Sequence, residues 1–152
     1  MTARARVERS LAGFAAGTTS VLTVHQGLLW SFQAVGVGPW PAYSTAPTPP
    51  WGVPAVASAA FWGGVWGAVL AGRMLRPPTR RLAFWRRAAT LGAVLPNAVG
   101  AALLVVGRGP RPTGVHPVTA LAIALLVNGA WGAATAGGLR VLHGRPTRDR
   151  RR

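Results

Sequence analysis

Four long uncharged runs alternate with charged or proline-rich stretches along this chain of 152 residues. The first runs from Ser10 to about Val37, behind Arg4, Arg6 and Arg9. The second runs from Val53 to Gly72, the third from Ala88 to Gly107 and the fourth from Pro117 to Leu139. A hydrocarbon core ~30 Å thick needs about 20 apolar residues in a helix, so each run is long enough to cross a bilayer. The first exceeds that thickness and is expected to tilt or fray. Its length, and the three runs behind it, predict a retained helix in place of a cleaved signal. The pattern predicts an all-α membrane protein, a four-transmembrane-helix bundle made of two antiparallel hairpins.

The breaks between runs differ in kind. Gly38 to Gly52 reads GPWPAYSTAPTPPWG, with five prolines and no charge. Proline density on this scale excludes a continuous helix. Trp40, Tyr43 and Trp51 are amphipathic rings suited to the headgroup layer. This loop is expected to be a stiff interfacial connector, with a lid or short re-entrant segment over a cavity as the alternative. Pro54 falls in the first turn of the second run, where a missing N–H is tolerated. Pro96 falls in the middle of the third, where it predicts a kink. Residues 1–9 form a basic start and 141–152 a basic tail that is expected to be disordered.

Charge sets the orientation. The chain has 17 basic residues, all arginine, against Glu8 and Asp149. Fifteen of the arginines lie in the N-terminus, the second loop and the C-terminus, and only Arg108 and Arg111 in the other loops. The positive-inside rule therefore predicts that both termini and the second loop are cytoplasmic. Arg73, Arg76, Arg80, Arg81, Arg86 and Arg87 of the second loop satisfy that rule, and are also candidates for contact with anionic lipid headgroups. A formal charge of +15 would ordinarily suggest nucleic acid. These arginines border apolar runs and do not line a folded surface, so no nucleic-acid partner is expected.

The second and fourth runs echo each other. Phe61–Gly72 and Leu126–Gly137 align at an offset of 65 with six of twelve positions identical, Gly67/Gly132 and Ala71/Ala136 among them. Gly63, Gly67 and Ala71 are spaced four apart, as are Gly129, Ala133 and Gly137. Such strips let helix backbones pack closely in lipid. Both hairpins have the same sense, so a duplication would be a parallel repeat, unlike the inverted repeats of many transporters.

Counting depth along the runs brings His25, Asn97 and Asn128 to one level, with Gln26 adjacent and Gly63 opposite. Polar groups at that depth face the bundle interior and pair with one another. They are expected either to be interhelical glue, worth ~0.6–2 kcal/mol per contact, or to form a polar site or proton relay on His25. Trp62, Trp66 and Trp131 are either core or a stack for a flat ligand. No cofactor or metal site is expected. There is no Cys, His116 and His143 fall outside the spans, and the two acids lie near the chain ends. No catalytic residue is assigned, and the chain is expected not to be an enzyme.

Four segments carry a resemblance: His25-Gln26-Gly27, Thr48–Pro54 (TPPWGVP), Phe61–Gly67 (FWGGVWG) and Leu126–Gly132 (LVNGAWG). Together they resemble a small, uncharacterised family of bacterial four-span inner-membrane proteins, over roughly residues 10–140. The resemblance implies that fold and compartment and brings no activity. The leading expectation is a structural, assembly or partner-binding membrane protein, joined to a second copy or to another membrane protein. The alternative is a small transporter or channel subunit with a polar site around His25, Asn97 and Asn128.

Overall fold

The first helix starts before its apolar run does. In the computed structural model, which describes residues 2–74, 80–107 and 114–143 (the side chains of 103–107 and 143 excepted), α1 spans Ala3–Ser20. The Thr2 hydroxyl accepts the Ala5 N–H at 3.2 Å and satisfies one of the orphan donors of the first turn. Arg4, Arg6 and Arg9 are thus helical, and Arg4 pairs with Glu8 one turn on at 2.8 Å. The helix continues through a π-helical turn, Val21–His25, into α2, Gln26–Ala34. There the Gln26 N–H reaches Val21 O and Thr23 O, passing over the Leu22 carbonyl that an α-helix would use. The Tyr43 hydroxyl donates to Leu22 O at 2.9 Å.

The proline-rich segment is folded, which qualifies the all-α expectation. β1 (Pro47–Thr48) and β2 (Val53–Pro54) pair antiparallel, Pro47 opposite Pro54, and the Thr48 hydroxyl donates to Val53 O at 2.7 Å. Prolines are tolerated in so short a pair because each strand has an open edge. Gly38 takes φ +85° and Tyr43 φ +51°, the left-handed turns that bring the chain back against α2.

Three long helices follow: α3 (Ala55–Arg73), α4 (Arg81–Gly107) and α5 (Pro117–His143). Pro54 is the N-cap of α3, one position before its expected place in the first turn. α4 takes in Arg81, Arg86 and Arg87, and α5 continues past Arg140, so basic residues read as loop and tail are helical here. Most of the expected tail, residues 144–152, lies outside the described residues. α3 and the segment Pro117–Leu142 are long and apolar enough to cross a membrane, with mean hydropathies of 1.4 and 1.6 and only 33% of each apolar window buried.

α1 packs antiparallel on α3, α4 packs antiparallel on α5, and α1 against α5 joins the two hairpins. Each hairpin crosses at glycine. A Cβ on Gly17 would strike Gly63 O and stand 2.9 Å from Gly67 Cα; one on Gly92 would lie 2.7 Å from Asn128 O and 2.6 Å from Gly132 Cα. Gly63 and Gly67 are thus matched by Asn128 and Gly132, the offset of 65 that the echo shows. The core lies towards the end that holds the arginines. Leu70, Met74, Phe84, Ala88 and Ala136 form one buried group there, and Ala16, Ala71 and Leu139 a second. Val21, Ala60 and Trp131 close the middle. Among the described residues, α2 beyond the π turn has no comparable helix contact, and it leans on the folded loop.

Candidate polar site

The two asparagines meet. Asn128 on α5 donates from Nδ2 to Asn97 Oδ1 at 3.2 Å. Asn97 on α4 donates from its own Nδ2 to Ala93 O at 2.7 Å and to Ala124 O at 3.3 Å. Pro96 has no N–H, so the α4 ladder is interrupted one residue before Asn97. His25 closes the π turn and is half-buried, its Nδ1 enclosed without a hydrogen-bond partner among the described residues. Gln26 turns elsewhere. It is buried, and its Oε1 accepts the Tyr43 N–H at 2.7 Å. Successive helical residues point about 100° apart, so His25 and Gln26 cannot serve one neighbour. The sequence grouped them by adjacency; in the fold Gln26 anchors the loop.

Two cavities meet at His25 and Asn128. The larger, about 630 Å³, lies between α2, α4 and α5 and touches all of His25, Asn97 and Asn128. Leu29, Ile123 and Val127 wall it, and Trp40 of the first loop lines it as well. The loop is held there by three bonds to the first helix, from Tyr43 to Gln26 and Leu22 and from Ala42 N–H to Gln33 Oε1 at 3.2 Å. The smaller cavity, about 200 Å³, lies between the π turn, α3, α4 and α5 and is lined by Trp62, Trp66, Trp131, Pro96 and Gly63 besides the shared pair. The three tryptophans therefore face one space. Trp62 is largely exposed, whereas Trp131 is buried and donates from Nε1 to Gly17 O at 3.0 Å.

The small residues divide between two faces. Gly63, Gly67 and Ala71 are buried against α1, with Gly13 and Gly17 opposite. On α5 the tight crossing falls on Gly132, between Asn128 and the buried Ala136. Gly129 keeps ordinary distances of 3.5 Å and 3.6 Å to α4, Gly137 faces the Trp85 ring, and Ala133 is half-buried. The echo held the signal for this face: carrying Gly63, Gly67 and Ala71 forward by 65 residues gives Asn128, Gly132 and Ala136.

Among the arginines of the second loop, Arg73, Arg80, Arg81, Arg86 and Arg87 are exposed, and Arg87 donates to Arg73 O at 2.8 Å. Arg76 lies outside the described residues. Sequence reasoning missed Arg9, which donates from Nε to Ala71 O at 3.0 Å and from Nη2 to Met74 O at 2.9 Å. It satisfies carbonyls that the end of α3 leaves free, at the negative pole of the helix. Arg140 stands 4.9 Å over the Phe84 ring.

Two amides and one imidazole facing a largely apolar space can orient a ligand by hydrogen bonds. Among the described residues no three His, Cys, Asp or Glu gather as a metal site would require. Fold and site together define a helical bundle with a hydrogen-bonding cleft towards its loop end. No protein-family model, curated protein or solved structure matches the chain.

Proposed function

We propose that this is a multi-pass protein of a bacterial inner membrane, with four crossing helices and both termini cytoplasmic, that binds a small uncharged molecule in a cleft reached from the outer side. The outward-facing apolar surface of α3 and α5 supports the membrane reading, since soluble proteins rarely leave so much continuous apolar surface exposed. The arginine asymmetry supports the orientation. Membership of the uncharacterised four-span family belongs to the same reading, as do a parallel duplication and lipid-headgroup contact by Arg73, Arg80, Arg81 and Arg86.

One observation moves the function from assembly factor to solute-binding protein, of the transporter or channel-subunit class: the cavity of about 630 Å³ that touches His25, Asn97 and Asn128. Ligand sites are typically apolar spaces of this size with a few placed polar groups. Polar side chains that serve only to join helices need no cleft beside them. The glycine crossings and the core at the arginine end close the other side, so the site has access from one face. No catalytic step is part of this reading.

The chain has no cysteine, which gives a clean background for labelling. Ala124→Cys, on the cleft wall, should react in intact cells with a membrane-impermeant thiol reagent. Ala88→Cys, fully buried in the closed end, should react only after denaturation. If Ala124→Cys also needs denaturation, the cleft is not open to the outside and the reading fails.

A further inference from the structure

The two cavities differ in kind. The inner one is small and aromatic, with room for a single substituted ring, and three tryptophans give it flat walls. The outer one is three times larger in round terms and lined by aliphatic side chains and small residues such as Gly100 and Ala124. Among the described residues no charged side chain lines either space, so an ion would find no partner among them, which is costly at such depth. The polar groups at the junction are only partly used. Asn97 and Asn128 spend their N–H groups on each other and on backbone, whereas His25 Nδ1 has no partner and Asn128 Oδ1 accepts nothing among the described residues. A neutral imidazole offers one donor and one acceptor.

We propose that the two cavities form one site for a neutral ring lipid: a planar ring bearing a carbonyl or hydroxyl sits in the tryptophan chamber against His25, and its alkyl or prenyl chain lies in the outer cleft. This deepens the cleft reading and rests on it. Nδ1 is enclosed, so His25 Nε2 meets the ring: as N–H it donates to a quinone carbonyl, and in the other tautomer it accepts from a phenol or quinol hydroxyl, so the same histidine serves either form. The ring stacks on indole faces, which contribute beyond their buried area. The chain follows Leu29, Ile123 and Val127 towards Trp40 and extends the buried apolar surface. The proposal concerns binding alone.

The test uses the full-length protein in nanodiscs and three probes: decylbenzoquinone, decanol (chain without ring) and benzoquinone (ring without chain). The chain has neither cysteine nor lysine for a quinone to modify. Decylbenzoquinone should raise the melting temperature saturably, as a ligand of the native state does, and the other two should not. His25→Leu should weaken that binding about tenfold, the loss of one buried hydrogen bond, and Ala124→Trp should abolish it by filling the cleft. A variant whose own melting temperature falls is judged by whether saturating probe still raises it. Equal shifts from decanol and decylbenzoquinone, or an unchanged affinity in His25→Leu, would overturn the assignment. If Ala124→Cys is labelled from outside and no probe binds, the ring-lipid proposal fails and the cleft reading stands; if the cysteine is not reached either, both fail.

Discussion

Trp131 ties the halves of the molecule together through one atom. Its ring is buried with Val21 and Ala60, and its Nε1 donates to Gly17 O at the centre of the α1–α3 crossing. Trp131→Phe keeps most of the apolar bulk and removes the donor. Hydrogen bonds of this kind within membrane bundles are worth about 0.6–1.7 kcal/mol, so thermal unfolding in detergent should begin a few degrees lower. Trp62→Phe, at an exposed ring without that bond, should unfold at the wild-type temperature. Equal melting of both variants would mean that the bond does not hold the halves. Residue type and depth were enough to bring Asn97 and Asn128 together on paper, because an amide in an apolar helix has few other partners. They could not separate His25 from Gln26 or find the carbonyls held by Arg9. Those depend on rotation about a helix axis and on where a neighbouring helix ends.

The helices were legible from uncharged runs and the proline-rich break, but the rotation of each helix was not. The π turn is the clearest case: one extra residue in a turn leaves no mark in hydropathy, yet it turns His25 to the cleft and exposes Leu22 O to Tyr43. On α5, Gly129, Gly132, Ala133, Ala136 and Gly137 offer two strips of small residues, and composition alone does not choose between them. The crossing does. Gly67→Leu and Gly132→Leu should each disrupt their hairpin, since the added side chain meets backbone, which cannot swing aside. The two should cost alike, at least about 3 kcal/mol, because the crossings are equivalent. Gly27→Ala, where nothing lies within 4 Å of the added methyl, should be neutral or stabilise α2. Unaltered thermal stability in both leucine variants would mean that the glycines do not hold the hairpins.

At the scale of the whole molecule, the two hairpins are closed at one end and apart at the other. The arginine end carries the buried core, the cap of Arg9 on α3 and the stacking of Arg140 on Phe84. The loop end carries the cleft, with Trp40 on its wall. On the proposed four-span reading, the compartment that the cleft serves depends on which end is cytoplasmic. Six arginines between α3 and the first turns of α4 resist translocation far more strongly than the uncharged first loop does. A reporter active only outside the cytoplasm should work when fused in the first or third loop and stay silent in the second loop or after α5. Activity in the second loop would invert the molecule. The cleft would then open to the cytoplasm, and the labelling of Ala124→Cys from outside should be lost with it. Joint reversal would keep the architecture and change the side it serves. Second-loop activity with outside labelling intact would mean that α3 does not carry the chain across, and the four-span reading would go with it.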